Sequence, residues 1–212
     1  MTERPNETER VRAIQDKQAP GYDRSMGFFE RLLFTGTREW ACSQIEGDVL
    51  EIAVGTGRNM PFYPAGARVT GIELSPEMLA LAHARAANLN VHADLRLGDA
   101  QRLEFGDESF DTVLITFALC TIPDDRAAVA EVYRVLRAGG RLVAVEHVRS
   151  TARPVRAVQR TLDPLSVRFG ADHLIRDPVD YLADVGFEIE ETKRSKWGIV
   201  ERLTARKPDR SV

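Results

Sequence analysis

Two cysteines among 212 residues, Cys42 and Cys120, are too few for a disulfide framework. No histidine or cysteine pair stands at the close spacing of a zinc-binding loop, so no metal site is expected. No apolar run reaches the length of a bilayer span, and the first residues, MTERPNETERVR, are charged where a secretory signal has an apolar core. Surplus positive charge is missing too: the formal net charge is -3, which offers no general field to phosphate backbones. Together these absences argue against a secreted scaffold, stable membrane insertion and nucleic acid as the main partner. They favour a cytoplasmic protein with a small-molecule substrate, and they leave the oligomeric state open.

What is present is an ordinary globular composition, 43% hydrophobic and 29% charged, in a length that suits one α/β domain. Polar, breaker-rich composition sets apart residues 1–20 as a flexible arm and 207–212 as a tail, leaving a domain at 21–206. From residue 48 onward, β-rich runs alternate with helical patterns, the mark of a parallel sheet covered on both faces. The runs are DVLEIAV ending at Gly55, then Arg68 to Ile72, Val91 to Leu97, Phe110 to Thr116 and Arg141 to Val145. Ser75, Pro76 and Glu77 open a helix between the second and third. Another helix covers the sheet through Ala128, Val132, Val135 and Leu136, with Gly139 placed to end it. Residues 149–175, rich in arginine and holding two prolines, read as an insert over the strand ends. The chain closes with GFEIEETK and IVERLTARK, an antiparallel pair joined by RSKWG at the edge of the sheet.

The chemistry-bearing residues follow the strands. Gly55 and Gly57 let backbone approach a ligand where the first strand turns into a helix, although the pair alone fits any tight strand-to-helix turn. A dinucleotide fingerprint asks for a third glycine three residues after Gly57, and Met60 stands there, which argues against NAD. Glu73 ends the second strand about 20 residues past the glycine turn, where a carboxylate accepts from ribose hydroxyls. Asp99 follows the third strand, placed to accept from an adenine amino group while the amide of Ala100 donates to the ring. Most acidic residues are plain surface or capping groups. Two of them after consecutive strands favour a shared site.

In VLEIAVGTG, VTGIELSPEML, LRLGDAQRLEFGDESFDTV and VYRVLRAGGRLV, taken in order, the chain resembles the class I S-adenosylmethionine-dependent methyltransferases. That resemblance implies a Rossmann-like, seven-stranded, mostly parallel sheet with an antiparallel C-terminal edge strand, and S-adenosylmethionine as cofactor. It puts Ala53, Gly55 and Gly57 beside the methionine part, Glu73 on the ribose, Leu74 and Met78 along the adenine, and Asp99 and Ala100 at its edge. Thr116, at the tip of the fourth strand, joins this set. Tyr22 in GYDRSMGFF matches a helix motif that closes over the cofactor. Ala53 stands where the family usually has its first glycine, and Ala138 where it has a proline. ALCTIPD, AVEHV, LDPL and IRDPVDYLADVGF are similar to segments of the membrane-anchored alkyl thiol methyltransferases.

The implied reaction is methyl transfer to a thiol, with an oxygen or nitrogen acceptor, or cofactor binding without transfer, as alternatives. A thiol with a pKa near 8.5 is already a few per cent thiolate at neutral pH, so a modest base suffices. His147, just past the fifth strand, is the expected base. It could equally be a structural histidine. Met78 and Tyr22 could be core, Cys120 reads as a small buried hydrophobe, and the insert's arginines as a solvated face or a site for an acidic or lipid headgroup.

Overall fold

Seven strands form one sheet in the computed structural model, which describes residues 6–209. They are β1 (Asp48–Ile52), β2 (Arg68–Glu73), β3 (Ala93–Leu97), β4 (Phe110–Thr116), β5 (Leu136–His147), β6 (Glu188–Ser195) and β7 (Val200–Arg206). Their spatial order is β3-β2-β1-β4-β5-β7-β6. Neighbours among the first five are parallel, and β7 runs antiparallel to both β5 and β6. The strand order reverses between β1 and β4, so a crevice opens beyond their C-terminal ends, the place where sheets of this kind bind ligands.

Burial explains the order. Leu50 and Ile52 of β1 and Leu114 and Ile115 of β4 are fully buried, each contributing about 2 kcal/mol of apolar transfer. Such strands can only lie in the middle of a sheet covered on both faces. One face is covered by α4 (Asp125–Val135) and α6 (Val179–Val185) through Val129, Val132 and Leu182. On the other, Ala41 and Cys42 of α2 (Thr37–Ser43) pack on Val49, Leu114 and Val143. Helix α3 (Pro76–Leu89) covers Val54 and Leu95 with Ala82 and Ala86. At the far edge, β6 is exposed and charged, a composition that discourages further strand pairing. The buried β7 lies inside it.

The structure redraws several boundaries. Residues 7–20, set apart by composition as an arm, are the first half of α1 (Glu7–Leu32). The helix opens on a capping box in which Asn6 Oδ1 accepts from Glu9 N and Glu9 Oε2 accepts from Asn6 N. Val11 and Ala19 of α1 are buried, so the helix is docked rather than loose. Residues 1–5 of the arm and 210–212 of the tail lie outside the described residues. Lys207 of the tail is pinned: its Nζ donates to the carbonyls of Tyr133 and Leu136.

The segment after Gly57 is a single 3-10 turn, Met60–Phe62, rather than a long helix. Gly139 does not end α4, which stops at Val135 with Leu136 already extended; Gly139 sits in the irregular start of β5. Most of the 149–175 segment is one helix, α5 (Arg153–Gly170). Pro154 falls in its first turn, where no amide hydrogen bond is lost.

Candidate functional site

Three adjoining compartments that share wall residues run along the strand tips beneath α1. The first, beyond β2 and β3, is lined by Val11, Gln15, Leu74, Asp99, Ala100 and Gln101. A middle compartment, beyond β1 and β4, is lined by Gln15, Tyr22, Ala53, Gly55, Met78 and Thr116. Glu73 and Ala53 belong to the walls of both. The third is a cavity of about 720 Å³ whose walls include Met26, Phe34, Phe117, Cys120, His147 and Phe169. Tyr22, Phe117 and Thr121 divide it from the middle compartment and line both.

Strand-tip backbone holds Glu73 in place. Its Oε2 accepts from Gly55 N at 2.9 Å and its Oε1 from Ser75 N at 2.9 Å. Each oxygen therefore keeps lone-pair capacity for a ligand hydroxyl. Burial raises its pKa against those amide hydrogen bonds. Asp99 Oδ1 accepts from the backbone and side-chain nitrogens of Gln101, both at 2.9 Å. Gln101 in turn reaches Thr8 Oγ1 of α1 and accepts from Asp124 N, which ties the roof of the cleft to the third strand's tip.

Positive φ marks the loop after β1. Ala53 has φ 53°, in the left-handed region that favours glycine. Gly55 faces the middle compartment, but Gly57 does not line the cleft: a Cβ on it would stand 2.7 Å from Met60 Cε. Its lack of a side chain lets the buried Met60 pack behind the loop. Met60 and the one-turn helix leave no long helix start facing the cleft for a pyrophosphate, which deepens the sequence argument against a dinucleotide. Met78 borders the middle compartment beside Glu73, while Leu74 borders the Asp99 end.

Thr116 accepts from Arg38 Nη1 and Asn59 Nδ2, both at 2.9 Å. It belongs to a buried network that composition did not reveal. Arg38 also donates to Asn59 Oδ1 and to Glu30, Asn59 donates to Glu51, and Arg58 joins Glu30 to Asp23. Burial lifts the pKa of Glu51 to about 7 despite the donors around it. Through Asp23 and Glu30 the network fastens α1 across the middle compartment. Tyr22, on that stretch of α1, has its phenol pushed up to about 12 by burial.

In the third compartment, His147 Nε2 meets Asp172 Oδ1 at 2.8 Å. Burial works against a charged imidazole, but the hydrogen bond and charge of Asp172, with Glu146 nearby, outweigh it and hold the His147 pKa above the ordinary value of 6.5. A carboxylate partner on Nε2 leaves the lone pair of the neutral ring on Nδ1, which is buried and has no hydrogen-bond partner among the described residues. The Cys120 thiol shares this corner, and burial pushes its pKa far up, so it is no nucleophile.

Sequence reasoning missed Gln15, Gln18, Arg38, Gln101 and Asp172. Val11, Gln15, Gln18 and Tyr22 fall four, three and four residues apart, the one signal that could have revealed α1 as a roof. The buried Oε1 of Gln15 lacks a hydrogen-bond partner among the described residues, while the Gln15 side chain borders the first two compartments. Carboxylates at 73 and 99, an orphaned amide oxygen and close backbone at Gly55 fit an adenosine bearing a charged amino-acid tail.

Comparison with known proteins agrees. A methyltransferase-domain family matches residues 50–144. A phosphatidylethanolamine N-methyltransferase of Cereibacter sphaeroides is 41% identical over 55% of the chain and 58% of its own length. A demethylmenaquinone methyltransferase of Renibacterium salmoninarum is 35% identical over 74% of the chain and 66% of its length. The human thiol S-methyltransferase TMT1A is 30% identical over 82% of the chain and 71% of its length. Matches to the first two thus span less than two thirds of those relatives. The chain belongs to the class I S-adenosylmethionine-dependent methyltransferases. No helix among the described residues is long and apolar enough to cross a membrane.

Proposed function

We propose that this protein transfers the methyl group of S-adenosylmethionine to a small, largely apolar nucleophile seated against His147, with a thiol the favoured acceptor. The observation that carries the reading is the row of three adjoining compartments with shared walls, from Asp99 through Glu73 and Tyr22 to His147. A nucleoside anchored at one end would present its sulfonium methyl toward the other. The favoured acceptor rests on the likeness to the human thiol methyltransferase and on a base suited to a weak acid.

When bound, the cofactor supplies an electrophilic methyl group on a positively charged sulfur. Glu73 and Asp99 would orient the nucleoside through ribose and adenine. Tyr22 and Phe117, at the junction of the two chambers, would exclude water where positive charge is lost in the transition state. The neutral His147 ring would take the acceptor's proton at Nδ1 once a small ring movement opens that buried atom to the cavity, with Asp172 holding the imidazolium that results.

A second reading, transfer to an amine of a phospholipid headgroup, is supported by the Cereibacter sphaeroides relative. Incubation with labelled S-adenosylmethionine and a panel of alkyl and aryl thiols, quinols and ethanolamine phospholipids decides between them. Label entering thiols first supports the favoured acceptor; label confined to another class replaces it. Tight cofactor binding with no transfer to any of them leaves a binding protein.

A further inference from the structure

Helix α5 is turned inside out. Two of its polar side chains face the protein: Gln159 Nε2 donates to the carbonyls of Val148 and Leu174 at 2.9 and 3.0 Å, and Gln159 Oε1 accepts from Ser150 N. Asp163 Oδ1 accepts from Leu174 N at 2.7 Å. No residue of the helix is buried. Its apolar side chains stand in water instead: Val158, Leu162, Leu165 and Phe169 are 57, 47, 55 and 68% exposed. Steps of four, three and four residues put these four on one stripe. A contiguous apolar stripe of this length on a soluble surface marks a surface that something covers.

Charge identifies what covers it. Arg168 lies beside the stripe and Arg153 and Arg160 farther round on the opposite side of the helix, and all three are exposed. None of the three pairs with a carboxylate among the described residues, in a protein where arginines such as Arg38, Arg58, Arg134 and Arg194 do. Leucine and phenylalanine on one face with unpaired arginine on the rest of the exposed surface is the pattern of a helix lying in a lipid interface, apolar side down and cations reaching the phosphates. Position adds a reason. Phe169 ends the stripe and, with Ser166 and Gly170, forms part of the wall of the cavity that holds His147.

We propose that α5 docks this protein on an anionic bilayer surface, with Val158, Leu162, Leu165 and Phe169 in the acyl boundary and the arginines at the headgroups. The mouth of the third compartment then faces the lipid, and an apolar acceptor enters from it; that last clause rests on the function proposed above, while the docking does not.

Sedimentation with lipid vesicles tests it, in the absence of cofactor and acceptor. The protein is expected to pellet with vesicles of phosphatidylcholine and phosphatidylglycerol, and far less with phosphatidylcholine alone. Leu162→Glu with Leu165→Glu should lower the affinity roughly tenfold or more. Arg160→Glu or Arg168→Glu should lower it roughly fivefold or more, since even loss of one cation near an anionic surface costs that much. Failure to bind the anionic vesicles overturns the proposal, as does binding that the leucine pair does not change. If the leucine pair instead splits a lipid-free dimer, the stripe is a contact between two copies and the proposal falls. Methylation of a water-soluble acceptor, assayed in parallel, is expected to survive the leucine substitutions. Vesicle binding without any methylation would remove the proposed function and leave the docking standing.

Discussion

The two ends of the cleft are built by opposite means. At the Glu73 and Asp99 end, side chains sit on consecutive strand tips, and backbone amides of Gly55 and Ser75 hold Glu73 within a few residues of its own strand. At the His147 end, the pieces come from α1, the tip of β5 and the loop after α5, and the key pair is 25 residues apart in the chain. A site made of strand tips is fixed by the sheet itself. A chamber assembled from separate helices can be reshaped without disturbing the sheet, which suits a family that keeps one methyl donor and varies the acceptor.

Substitutions at each end should therefore separate turnover from cofactor binding. His147→Ala is expected to lower kcat by about 100-fold, the lower range for loss of a general base, with cofactor affinity by calorimetry unchanged. Equal rates for the variant and the parent would move the base elsewhere. Glu73→Ala should do the reverse: cofactor affinity falls by about 2 kcal/mol, roughly thirtyfold, the scale of lost charged hydrogen bonds. At saturating cofactor its kcat should stay close to the parent's. Unchanged affinity would take Glu73 out of the site.

The same division decided what was legible in the sequence. Parallel strands with nearly unbroken apolar runs and acids at their tips can be read from local pattern, and the sheet and its Glu73 and Asp99 end were. Helix α1 was not, because the face it turns to the cleft carries Gln15 and Gln18, which suit a polar ligand and mask the apolar period. Helix α5 does carry a helical period in Val158, Leu162, Leu165 and Phe169, but its two prolines and many arginines read as an irregular insert, and its apolar stripe points outward, so the period locates no core. Asp172 carries no local signal at all; only the fold brings it to His147. Gly57 was read as a ligand contact because glycine near a strand tip suggests one, whereas here its missing side chain makes room for Met60.

A pH series sharpens the His147 end. Because Asp172 holds the imidazole pKa above 6.5, a rate that needs the neutral ring should rise with pH through a midpoint above that value. Asp172→Asn removes the charge and leaves burial as the dominant influence, so the midpoint should move to lower pH while kcat drops, by about tenfold. By linkage, the contribution of His147 to stability is fully present below its unfolded pKa of 6.5, as long as Asp172 stays ionised, and is lost as pH rises through the higher folded value. In the variant, thermal melts should lose that part of their pH dependence. A midpoint that stays put would mean that His147 is not the titrating group.

The smallest effect is expected at Ala53, where the cofactor end departs from its own logic. Its φ of 53° places an L-residue in the left-handed region, at a cost of about 1 to 2 kcal/mol relative to glycine. Ala53→Gly relieves that strain but adds freedom to the unfolded chain, an opposing cost of about 0.4 to 1 kcal/mol. Relief is the larger figure, so the variant should be more stable by about 0.5 to 1 kcal/mol, read as a higher denaturation midpoint at unchanged slope. Ala53→Val places a β-branched side chain at the same φ and should be clearly destabilised. Ala53 borders the compartments on both sides of Glu73, so cofactor affinity of the glycine variant should shift by less than about fivefold, under 1 kcal/mol. A less stable glycine variant would show that the methyl group of Ala53 packs against the core strongly enough to offset its backbone strain, and that the strand-tip end depends on side-chain packing as much as the helical end does.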